Sequence, residues 1–351
     1  MVGLLTFHDT NNFGSYLQTY GLYRKIKELG NDCDIIDYQC ESIVRREIPK
    51  SFEFTFNLRS LIIEILLNPP KRKKYKNLQK FLCQNMTLSE RVFRNNISKI
   101  SDKYDKFFVG SDIVWGLDIT QNDTTYFLDF IKDTHKKYAF ASSVGNPWNT
   151  EQQILIKQYL TEFSDIAVRE EESADWIEKL TKKRPYVVCD PTMLLTSDEW
   201  TRFVSDKYRY KKYILVYFPT ESSLKAAKSY SERYGIPCYV INQSLPLKNV
   251  TNINPTTIED FLSLLFYAAF VCTGSYHGML FSIYFNKEFA YFNRAHKSRM
   301  NTLANKLGVL DRDGMQYDIS HMKSIEYDKV NALATSYRNY SIQILKEMLS
   351  Q

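Results

Sequence analysis

Short apolar runs recur along the chain, and most of them stop at a polar cluster. Residues 2–7 read as a strand, 15–29 as an amphipathic helix closed by Gly30, and 34–38 as a second strand. Residues 52–100 read mainly as helix. Beyond them Lys106-Phe107-Phe108-Val109 runs into Gly110-Ser111-Asp112, and 137–142 and 165–168 repeat the pattern, the last ending at Arg169. Apolar runs of this length, spaced by helical stretches, predict buried parallel strands covered by helices.

Asp190-Pro191-Thr192, followed by Thr196-x-x-Glu199-Trp200, predicts a linker and a capping-box helix. A second alternation then begins, with strands at 213–217, 238–241 and 269–273 and helices at 222–234 and from Asp260 to Leu265. A turn, Gly274-Ser275-Tyr276-His277-Gly278, leads into a helix at 279–285, and an amphipathic stretch at 327–349 ends the chain. The expected architecture is α/β, with two Rossmann-like doubly wound domains facing a central cleft. They span 1–195 and 196–325, and a helix at 326–351 packs back on the first.

In open parallel sheets ligands gather outside the carboxyl ends of strands. The polar clusters all follow strands: His8 through Gly14, Gly110-Ser111-Asp112, Ser142 through Asn146, Arg169-Glu170-Glu171 and Gly274 through Gly278. Loops are polar for ordinary reasons too, but that explains one cluster better than five. The Gly274 to Gly278 turn stands out, because a Gly-Ser turn opening a helix offers backbone N–H groups and a positive helix end to an anion. His277 stands beside that anion, or else caps the turn; spacing does not choose between the two.

With 351 residues, 44% hydrophobic and 25% charged, the chain suits two ordinary globular domains. Its first residues are apolar without a preceding basic region or a small-residue cleavage site, so a signal peptide is not expected and a cytoplasmic location is. Six cysteines lie far apart with no Cys-x-x-Cys pair, which argues against zinc and against a disulfide framework. The net charge of +6 suits an anionic substrate or a membrane surface. Basic residues are not interleaved with aromatics outside 71–80, which argues against nucleic acid.

One stretch bears on location. Leu61-Ile62-Ile63-x-Ile65-Leu66-Leu67 precedes Pro69-Pro70-Lys71-Arg72-Lys73-Lys74-Tyr75-Lys76, an apolar run beside a basic cluster. Residues 61–76 would make a peripheral contact with an anionic inner leaflet, at roughly 1 kcal/mol per basic residue near the surface. A buried helix followed by a solvated charge run is the other reading.

In order and spacing, several motifs resemble the polysaccharide pyruvyl transferase family. They are Thr6-Phe7-His8 through Asn11-Asn12-Phe13-Gly14-Ser15-Tyr16-Leu17-Gln18, then Val109-Gly110-Ser111-Asp112-Ile113-Val114-Trp115 and Tyr126-Phe127-Leu128-Asp129-Phe130. Tyr138 through Gly145, Val168-Arg169-Glu170, Asp190-Pro191-Thr192, Thr273 through Gly278 and Ser298-Arg299 complete the series. Gly274 stands where the family commonly has Asn, and Tyr276 where it has Phe.

The resemblance implies a metal-independent enzyme of GT-B type, without a cofactor. Such an enzyme transfers the pyruvyl group of phosphoenolpyruvate to a sugar acceptor, lipid-linked in some cases, as a pyruvate ketal. The family's histidine and arginine fall on His277 and Arg169.

Ketal formation needs a proton donor at the methylene carbon and cations for the phosphate and carboxylate, which makes His277 the expected acid. Arg169 is the expected bidentate clamp, supported by Lys297, Arg299 and the backbone N–H groups of Ser275 and Tyr276. On the acceptor side, Asn11, Asn12 and Ser111 would bond hydroxyls and Trp115 would offer an apolar face. Asp112 would be either the base or a helix cap. The alternative is a nucleotide-sugar-dependent GT-B glycosyltransferase, for which no carboxylate suited to a ribose follows Ser298-Arg299. A non-catalytic sugar-binding protein is disfavoured by the presence of both His277 and Arg169.

Overall fold

The computed structural model describes residues 1–49, 68–242, 246–293 and 297–351. It falls into two compact units. One comprises Met1–Ile48, Gln79–Leu195 and Thr335–Gln351; the described parts of Pro49–Leu78 and Thr196–Ala334 form the other.

The first unit carries strands β1 (Val2–Leu5), β2 (Cys33–Ile35), β3 (Lys106–Val109), β4 (Lys137–Ser142), β5 (Asp165–Val168) and β6 (Tyr186–Val187). They form one parallel sheet in the order β2-β1-β3-β4-β5-β6. Its helices are α1 (Phe13–Glu28), α2 (Glu41–Glu47), part of α3 (Asn68–Asn85), α4 (Leu117–Thr120), α5 (Thr150–Thr161) and α6 (Glu171–Thr181). Strands β1 and β4 are buried at every residue, as expected of a sheet covered on both faces.

The crossover from β2 to β3 passes β1, so the sheet reverses direction between β1 and β3. Leu5 pairs with Val109 there, which brings the loops after both strands out level with each other. A reversal of this kind opens a crevice at the carboxyl ends of the strands.

The second unit begins with α7 (Ser197–Thr201), β7 (Ile214–Tyr217), α8 (Glu221–Tyr234), β8 (Cys238–Ile241) and β9 (Thr251–Ile253). It continues with α9 (Ile258–Tyr267), β10 (Phe270–Thr273), α10 (Tyr276–Tyr284), β11 (Phe289–Tyr291), α11 (Lys297–Lys306) and the start of α12 (Tyr327–Ser350). Its parallel sheet runs β11-β10-β7-β8-β9, and the reversal lies between β7 and β10, where Tyr217 pairs with Thr273. The 273–278 turn therefore leaves the sheet at its own reversal point.

Several expectations change. The helix expected from 279 starts three residues earlier, at Tyr276, because Ser275 caps it by accepting from the Gly278 N–H at 3.3 Å. The 52–100 segment is helical at Asn68–Asn85 and Ile97–Ile100 but not at 86–96, and 50–67, including the apolar run at 61–67, lies outside the described residues.

The basic cluster at 71–76 forms the first turns of α3, within the stretch expected to be helical. Pro69 and Pro70 sit where the missing N–H costs nothing, and Lys74 is only 4% exposed. Residues 68–78 group with the second unit, not with 1–195 as expected. The far part of α12 belongs to the first unit, where Lys106 Nζ donates to the carbonyls of Met348 and Leu349 at 3.1 and 2.6 Å. Among the described residues no helix is long and apolar enough to cross a membrane.

Candidate functional site

The reversal point of the first unit is organised by Gln18, fully buried on α1. Its Nε2 shares two hydrogens among Thr6 Oγ1 at 3.0 Å, the Ser15 carbonyl at 2.9 Å and Thr19 Oγ1 at 2.9 Å, and its Oε1 accepts from the Ser111 N–H at 3.1 Å. Thr6 Oγ1 donates to the Ser111 carbonyl at 3.1 Å. One side chain thus joins the ends of β1 and β3 to α1.

Asn12 caps α1 through the Gly14 N–H at 3.0 Å, and Ser15 Oγ donates to Asp112 Oδ2 at 2.9 Å. Asp112 also accepts from the Ile113 N–H at 2.9 Å, so it caps its own turn with one oxygen and holds Ser15 with the other. A carboxylate accepts about four hydrogen bonds, which leaves it capacity for a ligand hydroxyl.

Asn11, Asn12 and Asp112 are half-buried, but two acceptor expectations fail. Ser111 is fully buried, and its hydroxyl has no hydrogen-bond partner among the described residues. Trp115 is also fully buried, stacked on Phe127 at 5.5 Å with Nε1 donating to the Tyr126 carbonyl at 2.8 Å. It is a core residue and presents no face to a sugar.

Arg169 is corrected as well. Its side chain is 1% exposed, Nε donates to Glu170 Oε1 at 2.8 Å and Nη1 to Asp190 Oδ2 at 2.9 Å. Asp190 also accepts from the Thr192 N–H and hydroxyl at 2.9 and 2.7 Å, and the adjoining Pro191 carbonyl lies 2.4 Å from where a Cβ on Gly21 of α1 would sit. The guanidinium therefore ties the end of β5 to a turn lying directly on α1, and it is not an anion clamp.

A buried polar group missed in the sequence stands at the end of β2. His8 Nε2 meets Asp37 Oδ1 at 3.1 Å, and Asp37 also accepts from Arg91 Nε at 3.0 Å and Gln39 Nε2 at 2.6 Å. Burial alone would raise the Asp37 carboxyl, but the His8 and Arg91 contacts outweigh it and hold the group down to about 2. The available signal was that the loops leaving β1 and β2, neighbours in the sheet, carry a histidine and an aspartate.

In the second unit the Ser275 N–H donates to Thr273 Oγ1 at 3.0 Å, so it is spent within the turn and is not a phosphate donor. Tyr276 and His277 form the first turn of α10, both half-buried, with the rings edge-to-face at 5.7 Å. A Cβ on Gly278 would lie 2.3 Å from Thr273 Oγ1 and 2.9 Å from Tyr217 Cδ1, so only glycine lets this turn close on the strands. Lys297 opens α11, which packs on α10, and its side chain lies outside the described residues; Arg299 is half-buried on the same turn. Among the described residues no group of three or more His, Cys, Asp or Glu could hold a metal.

The sequence profile described as polysaccharide pyruvyl transferase matches residues 12–296, more than half of the chain. The chain belongs to the polysaccharide pyruvyl transferase family. No curated protein matches it.

Among solved structures it is similar to the UDP-GlcNAc 2-epimerase of Neisseria meningitidis bound to UDP-GlcNAc, at 10% identity and TM-score 0.51, covering 99% of this chain and 98% of that one. A putative UDP-N-acetylglucosamine 2-epimerase from Listeria monocytogenes matches at 10% identity and TM-score 0.53, covering 97% and 93%. These likenesses show the fold, which is α/β of GT-B type with two parallel-sheet domains.

Two measurements check this description. Arg169→Met leaves Glu170 and Asp190 as uncompensated buried charges and should lower stability in urea unfolding by about 3–5 kcal/mol; a loss below about 1 kcal/mol would contradict the tie. Because the Asp37 carboxyl is depressed, its contribution is present above the ordinary value of 3.8 and is lost as pH falls through about 2. The stability gap between wild type and Asp37→Asn should thus hold above about pH 5 and shrink between about pH 4 and pH 2, read from urea midpoints. A gap that stays constant over that window would contradict the assignment.

Proposed function

We propose that this transferase moves the pyruvyl group of phosphoenolpyruvate onto two hydroxyls of one sugar in a surface polysaccharide or its lipid-linked precursor, forming a pyruvate ketal. The observation that carries the reading is a half-buried histidine on the first turn of a helix that starts at a strand-reversal point, in a chain of this family. The family supplies the reaction class, and His277 supplies a group that gains and loses a proton near neutral pH.

In the proposed reaction a sugar hydroxyl attacks the carbon that bears the phosphate while His277 gives a proton to the methylene carbon, which becomes the methyl group. The C–O bond to phosphate breaks, and phosphate leaves with the bonding pair. A second hydroxyl of the same sugar adds to that carbon and releases its proton, which closes the ketal. Asp112 is assigned to take a hydroxyl proton, and Asn11 and Asn12 to hold the acceptor.

With Arg169 internal and the Ser275 N–H spent, the anion-holding role passes to the amino end of α10 with Tyr276, and to Lys297 and Arg299 on α11. The case against a non-catalytic relative now rests on His277 alone. Association with an inner membrane face through 61–76 remains a proposal for the exposed Lys73 and Lys76 of α3.

The test incubates purified protein with phosphoenolpyruvate and a panel of lipid-linked or nitrophenyl sugars. Phosphate release should be coupled to a mass gain on the sugar of pyruvate minus water. His277→Ala should lower kcat by about 10²–10⁴-fold. Full activity in that variant would remove His277 from the acid role, and turnover of a nucleotide sugar instead of phosphoenolpyruvate would replace the reaction.

A further inference from the structure

A cavity of about 800 Å³ opens in the first unit among the loop after β2, the 93–96 turn and the turn after α4. None of the residues assigned above to donor or acceptor lines it. Its lining is rich in carboxamides: Gln39, Asn95, Asn96, Gln121 and Asn122.

Three of these amides are oriented by their neighbours. Asn96 Oδ1 accepts from the Phe93 N–H at 2.7 Å, and Asn122 Oδ1 accepts from Gln152 Nε2 at 3.1 Å, which leaves the NH2 end of each to donate. Gln39 is held by the other end, its Nε2 donating to Asp37 Oδ1 at 2.6 Å, which leaves its carbonyl oxygen to accept.

The charges in the lining are engaged within the protein. Arg94, its cation, grips Asp129 through both terminal nitrogens at 2.7 and 2.6 Å. Asp123 takes the Tyr38 hydroxyl and the Thr125 N–H and hydroxyl, and Glu41 pairs with Arg45 at 2.5 Å. Beside them Phe93 is 48% exposed and offers an apolar face.

Gln121 and Asn122 stand side by side in the left-handed region, at φ 53° and 61°, where glycine is the unstrained residue. Strained positions of this kind cluster at ligand sites. Here the strain places two adjacent carboxamides in the lining.

Oriented donors and acceptors, a single cation already gripping Asp129 and an aromatic face for C–H groups suit an uncharged sugar ring and do not suit a phosphate. We propose that this cavity is a subsite for a neutral saccharide, holding a unit of the acceptor glycan other than the one that receives pyruvate. The proposal rests on the pyruvyl-transfer reading for the origin of the glycan and not for its binding.

The test applies the full-length protein, without phosphoenolpyruvate, to an array of neutral and anionic di- to tetrasaccharides of hexoses and N-acetylhexosamines, with nucleotide sugars as further probes. Wild type is compared with Phe93→Ala and with the double variant Gln121→Gly and Asn122→Gly. The glycines remove both carboxamides while suiting the left-handed backbone, so the melting temperature of the double variant should hold or rise.

Wild type should be retained on neutral oligosaccharides, and retention should fall at least about tenfold in both variants, a loss of about 1.4 kcal/mol. Retention on no neutral glycan, equal retention by the variants, or retention confined to anionic glycans or nucleotide sugars would overturn the proposal. Neutral-glycan retention lost in the variants, in a protein that does not turn over phosphoenolpyruvate, would uphold the subsite and overturn the transfer reading.

Discussion

Gln18 holds the first unit's polar crevice together. A buried carboxamide has to satisfy two donors and an acceptor, and here those needs are met by Thr6, Ser15, Thr19 and the backbone of Ser111. Each partner belongs to α1 or to the loops leaving β1 and β3, the two strands between which the sheet reverses. Losing that side chain would leave the buried Ser111 N–H without its partner, at about 1–3 kcal/mol. The positions of Asn12 and Asp112 follow from it, because one caps the helix that carries Gln18 and the other holds Ser15 on that helix.

The second unit solves the same problem with less polar means. There the turn after β10 is shaped by Thr273, Ser275 and the missing side chain of Gly278, which lets α10 begin against Tyr217. His277 consequently sits on a helix held by packing and by a cap. The two units share an architecture, yet their reversal points carry different chemistry: hydroxyls, carboxamides and a carboxylate in one, and an imidazole and a helix end in the other.

The strands were legible in the sequence because buried parallel strands read as unbroken apolar runs; 106–109, 137–142, 165–168 and 238–241 agree with the structure at both ends. The facing of polar residues at strand ends was not legible. Arg169 follows a strand just as a ligand-binding arginine would, but one of its partners, Asp190, lies 21 residues away and is brought to it by β6 and the turn that follows. Trp115 follows a polar turn, and its burial depends on Phe127 and Trp148, which also come from elsewhere in the chain. The amide-lined cavity is built from three separate loops, none of which carries a motif, so only the fold reveals it.

The central claim is that His277 delivers an exchangeable proton to the methylene carbon of phosphoenolpyruvate. The most direct measurement runs the reaction in D2O and examines the ketal methyl group by NMR, for wild type and for His277→Gln. The account predicts one deuterium in that methyl group and formation at least about a hundredfold slower in the variant. A methyl group without deuterium, or an unchanged rate in His277→Gln, would contradict it.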